Sequence, residues 1–428
     1  MGKRIIICLN PFESHFFPTI ALAKHLTALH YSVAYMGFAF LEQTVQGSGF
    51  SYIPLISCTH TEIEELQKAK KYHVLETVYK KLHQEVKANL DQYGADVVLM
   101  GISRYHFYLI PVLSCVPNIY FYSLCGGVPY INSSSPPITC DYIYMSKNFQ
   151  RIVNVYLWFK RFLKKGINPK VLIERQFYPW TTMRSLFRKG KIKWKFGIDG
   201  FFADFPILVF GTKYLEFCNV DKLSFLGLGV IEPPENCFAE VGISTKPKRT
   251  LIYCSLGTMS YRYKKAQKFY TTMIALFREM PQWDLVLSVG KAIKIDRKQL
   301  PGNVTVYEFA PQLSILKQAD LAITHGGHGT VKECIKYAVP MLVLPCVYDQ
   351  RGNAARIHFH QIGVRDLLLE TTPHEKKGEI NTEEITTQHI RELIERVLYN
   401  PLYKFNIIQL RRKIETASEL DEECKKIF

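Results

Sequence analysis

No stretch of this chain reaches 18 uninterrupted apolar residues, so the sequence predicts no membrane-spanning helix. It has no secretory leader pattern either, because Met1-Gly2-Lys3-Arg4 runs straight into the short apolar segment Ile5–Leu9. The 11 cysteines are odd in number and scattered, and none is paired at zinc-finger spacing. Several sit inside apolar runs, as Cys8 and Cys254 do, which reads as buried free thiols in a reducing compartment rather than a disulfide framework. The expectation is a cytoplasmic protein, peripheral at most on the inner face of a membrane, with the sequon Asn132-Ser133-Ser134 unused. There is no Asp-x-Asp metal clamp. Acidic residues are scarce between 146 and 200, where 14 Lys/Arg face only Glu174 and Asp199.

What the chain has is ample core. At 428 residues, with 47% hydrophobic and 21% charged residues, it is long enough for two ordinary globular domains. Short apolar runs alternate with amphipathic stretches. Ile5–Leu9 reads as a strand buried on both faces, followed by a loop over 10–18 and a helix face of Leu22, Leu26 and Leu29. Further strands are expected at Ser32–Met36, Asp96–Met100 and Pro117–Tyr122. The Pro-containing segment 231–249 has no clear periodicity and reads as a linker. A second series starts behind it with Leu251–Cys254, Asp284–Ser288, Val304–Glu308, Leu321–Thr324 and Met341–Leu344.

This alternation predicts two facing Rossmann-like doubly wound α/β domains, 1–230 and 250–405. A terminal helix, 406–428, is expected to pack back on the first domain. Ligands should bind between the carboxyl ends of the two sets of strands.

The densest chemistry is His325-Gly326-Gly327-His328-Gly329-Thr330, which runs from a strand end into a helix marked by Val331, Cys334, Ile335 and Ala338. Three glycines there let backbone amides approach a ligand, and a helix start favours a phosphate. Taken alone, the loop could equally be a turn that packs helix on sheet. His325 and His328 lack a third metal ligand at a usual spacing, so no metal site is expected. Around the loop stand Phe309-Ala310-Pro311-Gln312, Glu333 and Pro345-Cys346-Val347-Tyr348-Asp349-Gln350.

Together these segments resemble the family one, nucleotide-sugar-dependent UDP-glycosyltransferases, and look most similar to the bacterial zeaxanthin and macrolide glucosyltransferase branch. The resemblance implies the GT-B fold and an inverting, metal-independent transfer of a hexose, glucose in the first instance, from a UDP-sugar. No cofactor is implied beyond that co-substrate. It also implies a role for each matching position. Phe309 stands where a base-stacking Trp is usual, and Gln312 would bond the base or ribose. His325, Gly327, Gly329, Thr330 and Thr258, the last in Ser255-Leu256-Gly257-Thr258, would hold the diphosphate, with Gly329 in place of a common Asn. Glu333 would accept from the ribose, and Asp349 and Gln350 would meet the sugar hydroxyls.

His15, in the loop after the first strand, matches the family's general base, a task that suits imidazole. The family's carboxylate partner for that His is replaced here by Gly101. Either His15 works alone, or Ser103, His106 or Glu13 serves instead. The acceptor is expected to be a lipophilic alcohol. The basic, aromatic segment 146–200 reads as a contact with an anionic membrane or, equally, as a solvated face; no nucleic-acid-binding motif accompanies it. A UDP-sugar 2-epimerase-like isomerase and a non-catalytic nucleotide-sugar-binding protein are the alternatives.

Overall fold

The computed structural model describes residues 2–12, 15–69, 71–102, 116–140, 147–166, 193–197, 200–218, 220, 223–230, 249–369 and 385–428. The expected linker at 231–249 lies, except for Arg249, outside the described residues.

The first sheet holds β1 (Arg4–Cys8), β2 (Ser32–Phe38), β3 (Ser51–Leu55), β4 (Val97–Gly101), β5 (Asn118–Ser123), β8 (Ile207–Val209) and β9 (Ser224–Phe225). Their order is β3-β2-β1-β4-β5-β8-β9, and every pairing is parallel. The continuous apolar run of β1 is explained by its position. Ile5 and Ile7 enter the core on one face, with Leu22 and Leu26 of α1 (Ile20–Ala28), while Ile6 and Cys8 enter the core on the other. That second face is covered by α4 (Tyr72–Tyr93) through Leu75, Leu82, Val86 and Leu90. Two short helices, α2 (Glu42–Gln46) and α3 (His60–Lys68), complete the connections.

The second sheet has the order β12-β11-β10-β13-β14-β15, again all parallel. Its strands are β10 (Thr250–Ser255), β11 (Trp283–Ser288), β12 (Val304–Tyr307), β13 (Leu321–Thr324), β14 (Met341–Val343) and β15 (Gly363–Arg365). The helices around it are α6 (Ala266–Glu279), α7 (Gln312–Leu316), α8 (His328–Lys336), α9 (Gln350–Phe359) and α10 (Thr387–Leu398). Both sheets reverse direction beside their first strand, between β1 and β4 and between β10 and β13. Those are the switch points at which doubly wound sheets open a crevice.

The C-terminal helical segment is divided. Helix α11 (Pro401–Ala417) stays on the second domain, with Ile407, Leu410 and Ile414 in the same core as Val331 and Cys334. Ser418, at φ +45°, breaks the helix, and α12 (Glu419–Ile427) crosses to the first domain. There Cys424 joins the core of Ile5 and Leu26, and a Glu419 carboxylate oxygen accepts from the Lys213 amide at 3.1 Å. Between 147 and 203, the described elements are α5 (Lys147–Gly166) and an antiparallel hairpin of β6 (Trp194–Gly197) and β7 (Gly200–Ala203). No described helix is long and apolar enough to cross a membrane.

Candidate active site

The His325 loop leaves the end of β13, at the switch point of the second sheet. Gly326 has φ +81°, and a Cβ there would lie 2.7 Å from Val343 Cγ1, so only glycine fits the turn. Gly327 caps α8 without a side-chain hydrogen bond, which leaves the first amides of that helix for a ligand. The His325 ring is wedged between two loops. A Cβ on Gly257 would stand 2.5 Å from its Cε1, and one on Gly327 would stand 2.5 Å from its Nε2. The loop after β10 and the loop after β13 therefore meet on this imidazole. Burial lowers its pKa to about 4, so His325 is neutral at pH 7 and offers a phosphate an N–H rather than a charge. Thr258 is exposed on the first of these loops. Gly329 is exposed too, with nothing within 4 Å of a Cβ built on it, so the space for a longer side chain is open.

Gln312, Thr330 and Glu333 form one polar cluster. The Tyr253 hydroxyl donates to Gln312 Oε1 at 2.7 Å, and Gln312 Nε2 donates to Thr330 Oγ1 at 3.3 Å and to the Glu333 carboxylate. Burial raises the Glu333 pKa, which the hydrogen bond from Gln312 partly offsets. Tyr253 escapes a reading of the sequence because it sits within a buried strand and looks like any core aromatic. Phe309 stands out at the end of β12 with 59% exposure, and the Lys291 ammonium lies 6.0 Å from its ring centre. An aromatic face this exposed is available for stacking.

Beyond β14, Asp349 and Gln350 begin α9. Exclusion of water around the Asp349 carboxyl pushes its pKa up to about 6. Asn353 donates to Asp349 Oδ2 at 3.0 Å and to the Gly326 carbonyl at 2.9 Å, which ties the Asp349 carboxylate to the His325 loop. Gln350 is turned inward. Its Oε1 accepts from the amides of Cys346 and Val347, both at 2.8 Å, and its Nε2 donates to the Tyr263 hydroxyl at 3.2 Å. As placed, Gln350 holds the loop, whereas the sequence expectation has it meeting sugar hydroxyls. Its exposed neighbour Tyr348 takes φ +53°, a backbone conformation that costs energy away from glycine.

Across the cleft, His15 follows β1 at the other switch point. Burial lowers its pKa to about 4, its Nδ1 is buried without a hydrogen-bond partner among the described residues, and the Phe12 ring packs edge-on with centroids 5.0 Å apart. The absence of a side chain at Gly101 has a local cause: a Cβ there would lie 2.4 Å from Asn10 Nδ2. The buried Asn10 amide occupies that space. Glu13, Ser103 and His106 lie outside the described residues.

His325 and His328 do not converge. The His328 ring points away from the loop to the first domain, where Nε2 lies 2.8 Å from the Phe210 carbonyl. Among the described residues, no group of three or more His, Cys, Asp or Glu is placed to hold a metal. The domains also meet through Arg356, which donates to Glu216 from Nε at 3.1 Å and from Nη2 at 2.8 Å, with both side chains buried. One turn earlier on α9, a Cβ on Gly352 would lie 1.8 Å from the Ile138 carbonyl oxygen. Bare backbone is needed for this approach of the domains. Lys332, also buried on α8, has its pKa lowered to about 8 by desolvation.

Comparison with known proteins agrees with this architecture. Residues 225–416 match the family described as UDP-glucoronosyl and UDP-glucosyl transferase. The oleandomycin glycosyltransferase of Streptomyces antibioticus is 39% identical over 130 residues, 28% of this chain and 30% of that protein. The zeaxanthin glucosyltransferase of Pantoea ananas is 36% identical over 133 residues, 30% of each. An NDP-glycosyltransferase of Bacillus subtilis is 27% identical over 208 residues, 48% of each. The chain thus matches less than half the length of these relatives. The full architecture resembles the solved glycotransferase of kitacinnamycin, with a TM-score of 0.67 at 19% identity over 99% of this chain and 98% of that one. It also resembles the spinosyn forosaminyltransferase, with a TM-score of 0.65 at 16% identity, covering 100% and 99%. The chain has the two-domain GT-B fold, and its residues 225–416 are similar to the UDP-glucoronosyl and UDP-glucosyl transferase family.

Proposed function

We propose that this protein is an inverting glycosyltransferase that moves a hexose, glucose in the first instance, from a UDP-sugar to a hydroxyl of a lipophilic acceptor. The observation that carries the reading is the gathering of Phe309, Gln312, Glu333, Thr330, His325 and Asp349 around the second sheet's switch point, with His15 at the switch point of the first. An exposed aromatic suits uracil, and carboxylates suit hydroxyl groups. The uncapped start of α8, with His325 beside it, suits a diphosphate. In this reading, amides, the helix dipole and neutral donors stabilise the departing diphosphate without a metal.

His15 takes the acceptor proton as the oxygen attacks the anomeric carbon from the side opposite the leaving group, so an α-linked donor gives a β-glycoside. Burial keeps its imidazole in the neutral, proton-accepting form at pH 7. The lipophilic acceptor and peripheral contact with anionic membrane through 146–200 belong to the same proposal.

The test is incubation with UDP-glucose and a broad panel of hydroxylated lipids and aromatics, with products read by mass spectrometry. A new hexoside of inverted configuration is expected. An altered sugar without an acceptor, or UDP-glucose binding with no turnover across the panel, would overturn the reading in favour of an isomerase or a binding protein.

A further inference from the structure

Helix α5 contains no acidic residue in its 20 positions. Its inner face is fixed to the rest of the protein. Trp158 is buried and donates its indole N–H to the Ser135 carbonyl at 2.9 Å, and Asn154 donates to the Ser133 carbonyl at 2.9 Å. Arg161 donates to Thr139 Oγ1 at 2.7 Å, and Phe162 packs edge-on against Phe196 of β6. These contacts account for one side of the helix.

The other side carries Phe149, Ile152, Val155, Tyr156, Phe159 and Leu163, each 49–67% exposed. At helical spacing these six residues fall within an arc of about 120°. Exposed Arg151 flanks one edge of the arc and exposed Lys160 the other. Among the described residues nothing covers this face. A stripe of this size on an ordinary soluble surface marks an interaction site, and an apolar arc between basic flanks is the form of a helix lying in a membrane interface.

We infer that the outer face of α5 docks on an anionic lipid surface, with its apolar stripe in the acyl boundary and its basic flanks at the headgroups. Charge selects this occupant. A second copy of the chain would set one acid-free, basic helix against another, whereas anionic lipids complement it. The fold links this surface to the cleft. The loop that α5 holds at Ser133 and Ser135 follows the carboxyl end of β5, and Ser135 accepts a hydrogen bond from Arg356 of α9 at 3.3 Å. Docking through α5 would hold the cleft near dissolved lipid. Only this delivery of a lipophilic acceptor rests on the transfer reading; the docking itself does not.

The test is flotation of the full chain with vesicles of phosphatidylcholine alone or mixed with phosphatidylglycerol. Wild type should float with the mixed vesicles and not with phosphatidylcholine alone. The pair Ile152→Glu/Phe159→Glu should lower the bound fraction about tenfold or more, and Arg151→Gln/Lys160→Gln should weaken binding and reduce its salt dependence. UDP binding unchanged in both variants would show that they are folded. Wild type remaining unbound, or the Glu pair floating like wild type, would overturn the inference. So would a dimer, seen by light scattering, that the Glu pair dissolves without any loss of flotation. Hexoside formation from a detergent-dissolved acceptor is read separately, so failure of docking and failure of transfer are distinguishable.

Discussion

His328 on α8 and Phe210 at the end of β8 join the two domains, with imidazole Nε2 2.8 Å from the Phe210 carbonyl oxygen. A carbonyl only accepts, so Nε2 carries the proton and Nδ1 is bare. Among the described residues, Nδ1 is buried without a partner. Glycines make room on the first domain's side, since a Cβ on Gly126 or Gly211 would lie 2.5 or 2.9 Å from this ring. The helix whose start carries no side-chain cap is thereby the helix that fastens the second domain to its neighbour.

His328→Phe keeps a ring but leaves the Phe210 carbonyl unpaired. It should cost roughly 1–3 kcal/mol in urea unfolding. The pH dependence is a sharper check. Burial lowers the folded pKa of His328 to about 3, whereas an unfolded imidazole titrates at 6.5. Between those values the unfolded chain binds more protons, so the contribution of His328 is whole above pH 6.5 and shrinks as pH falls. The variant should gain on wild type as pH drops from 6.5 towards 4; parallel profiles would refute a buried neutral His328.

Arg356 and Glu216 make a bidentate pair with both side chains 1% exposed, joining α9 to the first domain's side of the cleft. Breaking such a pair leaves a buried charge alone, so Arg356→Met and Glu216→Gln should each lose about 3–5 kcal/mol. The double variant should lose less than the sum. Strict additivity in the double-mutant cycle would show that the two side chains are not coupled.

Asn10 and Gly101 compete for one space. Gly101→Ala should destabilise by about 1–3 kcal/mol through overpacking, and Asn10→Gly in the same chain should recover most of that loss. Thermal unfolding of the three variants decides it. An unaffected Gly101→Ala would show that Asn10 does not account for the bare backbone at Gly101.

Phe309, exposed after β12, and Gly329, exposed at the start of α8, should each tune affinity for UDP. Phe309→Ala removes the exposed ring and should weaken UDP binding about tenfold, in line with roughly 1–3 kcal/mol per stacked base, while Phe309→Trp should tighten it. Gly329→Asn enters open space and adds a donor at the start of α8, so a gain of a few-fold is expected. Calorimetric titration with UDP measures all three. Affinities that do not move at Phe309 would mean that the base lies elsewhere.

The sequence exposes the parts of this fold that depend on local pattern. β13 runs over Leu321–Thr324 as expected, and the starts of β2, β12 and β14 coincide with the expected ones. β15 is only Gly363-Val364-Arg365, too short to show periodicity, and β3 carries Pro54, which breaks the usual strand pattern. The Gly-rich turn into α8 is legible because its glycines and the helix that follows are contiguous. The partners of those residues are not. Phe210 lies 118 positions from His328, and Glu216 lies 140 from Arg356. Gln350 looks like a ligand contact by position, yet folding turns it onto the backbone of its own loop. Composition marks α5 as basic and aromatic, but only packing separates Trp158, turned inward, from Phe159, turned out.

The most direct test of the account is a paired assay of wild type and His15→Ala with UDP-glucose and the best acceptor from the panel, measuring hexoside formation and UDP affinity in the same preparations. His15→Ala is expected to bind UDP like wild type and to lose transfer by about 100-fold or more, as removal of a general base should. In the free wild-type enzyme, the acidic limb of kcat/KM should fall near pH 4 rather than near the ordinary imidazole value. Undiminished transfer by His15→Ala would contradict it.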